Sequence, residues 1–168
     1  MTSTSLKRPR LAAALTTGLF AGGLIAGGLA LASLPAAAQD GQVIELTQTP
    51  CQFIESENGV DHGYSSGGKA DCEAINAQSG EERLAKARTL TLKPGKYVFR
   101  VTNKNVSYPL GFYLRGDGLV NRATLPSVSG GGLTTGVTKD YEVELKPGEY
   151  VYSCPLNPTP DYRIKVEG

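Results

Sequence analysis

LKPGEYVYSCPLNPTPDY, residues 145–162, is the stretch that decides how the rest of the chain is read. Pro147-Gly148 makes a turn, because proline fixes φ and glycine accepts the positive φ of a type II turn. Residues 149–154 then alternate: Tyr150, Tyr152 and Cys154 share one face, and Glu149, Val151 and Ser153 share the other. Pro155, Pro158 and Pro160 stiffen the loop that follows. A strand therefore delivers a cysteine to the mouth of a rigid loop.

Working outward, residues 89–101, TLTLKPGKYVFRV, repeat the same device, with Tyr97, Phe99 and Val101 on one face. The echo is far shorter than the roughly 20–50 residues of a structural repeat, so it reads as two similar sandwich corners. Further strands are predicted at 42–47, 52–54, 109–114, 123–125, 137–145 and 162–166. Polar or glycine-rich turns are predicted at 102–108, 115–121 and 129–136. From residue 55 to about 80 the periodicity fails, which predicts a long irregular loop. Residues 81–88, EERLAKAR, read as a short helix, with acids leading and Glu82 placed four before Lys86. Seven or eight short strands with almost no helix predict an all-β fold, an antiparallel Greek-key β-sandwich with an irregular insertion at about 57–88. Periodicity alone allows an immunoglobulin-like sandwich equally well.

The 145–162 stretch resembles the last strand and ligand loop of the cupredoxins, the blue-copper family. Its pattern is G-x-Y-x-Y-x-C followed by histidine and then methionine. The resemblance covers 42–47 and 89–167 and implies a cupredoxin-like sandwich whose first strand runs parallel to the one ending near Asn103. The metal half of the pattern departs from the family. Asn157 stands where the histidine after the cysteine is expected, and Tyr162 where the methionine is expected. The first histidine of the family follows a proline, and here Tyr108-Pro109 leads to Leu110. The degenerate copper positions are thus Leu110, Cys154, Asn157 and Tyr162. Type 1 copper takes a thiolate and two imidazoles with a weak axial ligand, and the chain holds one histidine, His62, and one methionine, Met1. A non-standard site for Cu(I) or zinc would need Cys154, His62 and Cys51 to meet, with the insertion folded over the loop end.

Residues 1–38 read as a cleaved signal peptide: Lys7, Arg8 and Arg10 lead, an apolar run spans 11–34, and Ala36-Ala37-Ala38 closes it. Uncleaved, the same run would serve as a membrane anchor. Cleavage leaves a 39–168 domain and predicts a periplasmic or secreted protein. It removes three of the 17 bases and none of the 16 acids, so 14 bases face 16 acids. A mildly acidic domain without a basic cluster excludes nucleic acid and anionic membrane as natural partners.

Cys51, Cys72 and Cys154 all follow the signal. Export favours disulfides, and three cysteines leave one over. Cys51–Cys72 would pin the long loop, and Cys51–Cys154 is the alternative pairing. Ser129 to Leu133 is glycine-rich, but no Lys-Ser/Thr ending follows for phosphate. Asp61-His62 has no nucleophile motif beside it, so no enzyme is expected. The expected function is a copper-free binding or accessory module with a periplasmic protein partner, docked at an apolar patch of Leu110, Tyr162 and the prolines. The alternative is a copper-binding or electron-transfer protein centred on Cys154.

Overall fold

The structure, a computed structural model, describes residues 41–168. The predicted signal segment lies outside the described residues. Two β-sheets face each other. One holds β1 (Gln42–Thr49), β2 (Gln52–Phe53), β4 (Gly95–Asn103) and β7 (Thr138–Leu145) in the order β2-β1-β4-β7. The other holds β3 (Leu90–Leu92), β5 (Leu110–Gly116), β6 (Val128–Leu133), β8 (Gly148–Ser153) and β9 (Tyr162–Val166) in the order β3-β9-β8-β5-β6. β1 runs parallel to β4, as the cupredoxin resemblance implies, with Gln48 opposite Asn103. β3 also runs parallel to β9. The sandwich is therefore mixed rather than wholly antiparallel, with nine described strands.

Alternation places the core. Tyr97, Phe99 and Val101 of β4 are buried, as are Tyr162, Ile164 and Val166 of β9. Each large apolar side chain removed from water stabilises the fold by about 1.5–3 kcal/mol. Aromatic rings dominate the centre: Phe53 meets Phe112, Tyr152 and Tyr162 edge-on at centroid distances of 6.2, 5.5 and 5.9 Å. Such edge-to-face contacts add to simple burial. The two-residue β2 thus carries the plug that ties the start of the insertion to the core.

Three segments differ from expectation. Helix α1 spans Lys69–Lys86, starting well before the predicted 81–88. Its face toward the sandwich carries Cys72, Asn76, Gly80 and Arg83, which a hydrophobic pattern does not register. Residues 123–125, expected as a strand, fall in or beside helix α2 (Gly118–Thr124). The glycine stretch expected as a loop forms β6, where Gly130 pairs opposite Phe112. Close approach explains those glycines: a Cβ at Gly130 would stand 2.9 Å from the Tyr141 ring. Among the described residues no helix is long and apolar enough to cross a membrane.

Candidate functional site

Cys154 follows β8 and is buried. Its Sγ accepts backbone N–H groups from Gly111 at 3.4 Å and Asn157 at 3.3 Å. Burial pushes the thiol pKa up, and the amides of Gly111, Asn157 and Leu156 oppose that without overcoming it. Gly111 is fixed as glycine because a Cβ there would meet the Gly130 carbonyl at 2.9 Å. Its own carbonyl accepts Gln48 Nε2 at 2.9 Å. The Gln48 Oε1 atom is buried and has no hydrogen-bond partner among the described residues.

Asn157, where the cupredoxin resemblance would put a histidine, is fully buried and spent on structure. Its Oδ1 accepts the Cys51 N–H at 2.9 Å and the Tyr108 hydroxyl at 3.0 Å, and its Nδ2 donates to the Thr49 carbonyl at 3.0 Å. The side chain therefore staples the proline loop to the β1–β2 corner. Asn157→Ala is expected to cost about 2 kcal/mol in urea unfolding, because it strands a buried N–H and a buried carbonyl. Leu110 has no donor atom and is fully buried. Tyr162 opens β9 opposite Tyr152, and its hydroxyl donates to Glu57 Oε1. These four positions do not supply the donor set of type 1 copper.

The expected disulfide joins Cys51 and Cys72, leaving Cys154 as the free cysteine. Cys51 is then unavailable as a thiolate, which corrects the trio Cys154, His62 and Cys51. The insertion does fold over the Cys154 end: Asn76 Nδ2 donates to the Pro158 carbonyl at 2.7 Å, and Tyr108 and Ser66 hydroxyls meet at 2.8 Å. His62, however, turns away to Glu57, with Nε2 and Oε2 2.7 Å apart. Among the described residues no three His, Cys, Asp or Glu side chains converge on a metal position. The patch expected from Leu110 and Tyr162 is also corrected, since both are buried; Pro155, Leu156 and Asp161 are the exposed residues of the loop.

A second cluster carries no motif. Glu57 is buried, and Arg83 Nε and Nη2 donate to its carboxylate at 2.6 to 3.2 Å. Arg83 Nη2 also donates to the Cys51 carbonyl, and Nη1 to Asn76 Oδ1, both at 2.9 Å. The guanidinium lies 5.0 Å from the Tyr64 ring centroid, and that ring stacks on His62 at 5.3 Å. Only the isolated order of Glu57, His62 and Arg83 is visible in sequence, so pattern reading passes over them. Burial alone would raise the Glu57 pKa, yet the bonds from Arg83, Tyr162 and His62 hold it below the usual carboxylate value of 4.5. A lowered folded pKa stabilises the fold above the unfolded value, and that stability is lost as pH falls through the folded one. Urea midpoints measured downward from pH 7 should therefore fall below about pH 4.5, and Glu57→Gln should flatten that acid limb.

No family model matches the chain, and no curated protein matches it. Among solved structures, the chain is similar to auracyanin B at 13% identity, covering 76% of this chain and 89% of that one, with a TM-score of 0.46.

Proposed function

We propose that this chain is an exported, cupredoxin-like binding or accessory module that carries no type 1 copper and catalyses no reaction. The observation that carries this reading is Asn157: the residue in the histidine place is buried and holds Cys51, Tyr108 and Thr49 instead of facing an open coordination position. The Cys51–Cys72 disulfide is compatible with export to an oxidising compartment, periplasmic or secreted. A protein partner would meet the Cys154 end at exposed Pro155 and Leu156, where Gly111, Tyr113, Ser129 and Gly131 line an open groove.

One observation favours a copper-binding or electron-transfer reading centred on Cys154. A buried thiol with two N–H donors lies one residue's hydrogen bonds from the unpaired Gln48 Oε1. Sulfur and amide oxygen are only two donors, and His62 and Cys51 are engaged elsewhere. Titration with Cu(I) against a competing chelator separates the readings. The module reading expects no retained copper and one reactive thiol after unfolding. Stoichiometric copper lost in both Cys154→Ser and Gln48→Leu would replace it with the copper reading.

A further inference from the structure

The geometry points to a small-molecule site for a zwitterion with an apolar side chain, a free amino acid, in the cleft between the 57–64 loop and the second half of α1. It stands apart from the reading of Cys154, because none of its walls touches that thiol. The cleft encloses about 320 Å³, near the lower end for ligand pockets and enough for one aromatic amino acid.

Floor, wall and rim differ in chemistry. At the floor, Glu57 and Arg83 neutralise each other at 2.6 Å with both side chains almost wholly buried. They give the floor polarity without net charge. The wall is apolar: Val60 is 49% exposed, and the Tyr64 ring stacks on His62 and lies 5.0 Å from the Arg83 guanidinium. That stack fixes the ring before any ligand arrives, so little ordering cost attends binding. At the rim, Glu82 and Lys86 form a 2.6 Å ion pair with both side chains 73% exposed. A solvated i,i+4 pair of this kind is weak and readily exchanged.

A ligand ammonium replaces Lys86 as the partner of Glu82, and a ligand carboxylate replaces Glu82 as the partner of Lys86. The side chain on the carbon between those two groups then lies against Val60 and Tyr64. An anion alone or a cation alone would satisfy one rim group and leave the other to water. The balanced charge of floor and rim therefore selects the zwitterion over either half.

His62 is the single histidine of the chain, so its imidazole proton resonances report on this cleft without ambiguity. The full chain, purified from an oxidising compartment, is titrated with L-phenylalanine, phenylacetate and phenethylamine. Saturable shifts with L-phenylalanine are expected at about 1 mM or tighter, the range a ligand of this size reaches. Each truncated analogue should bind at least about tenfold more weakly, as should L-phenylalanine to Glu82→Gln or Lys86→Gln. Both substitutions sit on an exposed helix face, so the fold persists and far-ultraviolet dichroism confirms it. No saturable shift, or equal binding of all three probes, would overturn the proposal. Copper retained at Cys154 would overturn the module reading and leave this result unchanged, so the two readings fail independently.

Discussion

Arg83→Met is expected to lower unfolding stability by about 3–5 kcal/mol, because it leaves the Glu57 carboxylate buried without its cation. For a domain of this size that is a fall of roughly 10–20 °C in Tm. The guanidinium binds Glu57, the Cys51 carbonyl and Asn76 at once, so one substitution releases the 3-10 turn at Glu55–Glu57, the β1–β2 corner and α1 together. Removing both charges, as in Glu57→Leu with Arg83→Met, should recover at least half of the loss, since neither ion is then stranded. Urea unfolding of the two single variants and the double variant forms the cycle. A loss below about 1 kcal/mol for Arg83→Met would mean that the pair is solvated rather than buried.

Paired replacement, Cys51→Ser with Cys72→Ser, is expected to cost about 3 kcal/mol, the chain-entropy value for cysteines separated by 21 residues. Changing both avoids a stray thiol that would exchange with Cys154. The largest local effect should fall in the insertion: hydrogen exchange in Lys69–Lys86 should accelerate more than in Gly95–Asn103 and Gly148–Ser153, which the sandwich core holds. Uniform acceleration across both sheets would show instead that the insertion and the sandwich open as one unit. Proteolysis with a lysine-specific enzyme gives a second reading, because Lys69 and Lys86 bracket the helix.

The sandwich was legible because its strands obey a period of two, and Tyr97-Phe99-Val101 and Tyr150-Tyr152 declare their faces without help from the rest of the chain. The parallel placement of β1 beside β4 followed only from the family resemblance, since a lone alternating segment does not reveal its neighbour. Helix α1 stayed hidden because it docks through a disulfide, an amide, a glycine and a guanidinium. Gly80 lies against Pro160 where a leucine would be expected on an ordinary amphipathic helix. The glycines of β6 read as a loop because a residue that lets chains approach closely looks, in sequence, like one that lets them turn.

The candidate site divided in the same way. Asn157 and Tyr162 could be assigned places by counting on from Cys154, and Leu110 by its position after Tyr108-Pro109 in the cupredoxin resemblance, while Cys51–Cys72 was the pairing that would pin a long loop. What Asn157 does was not legible, because its partners come from residues 49 to 108 positions away in the chain. Glu57 and Arg83 are separated by 26 residues and belong to no motif, so only the fold makes them neighbours.

Whether the Cys154 end is built for packing or for copper is decided by the metal content of the protein purified from an oxidising compartment of cells grown with added copper. Packing at Cys154 predicts copper far below one equivalent, no visible thiolate–copper absorption, and an unchanged result for Cys154→Ser. One equivalent of copper with that absorption, lost in Cys154→Ser, would contradict it.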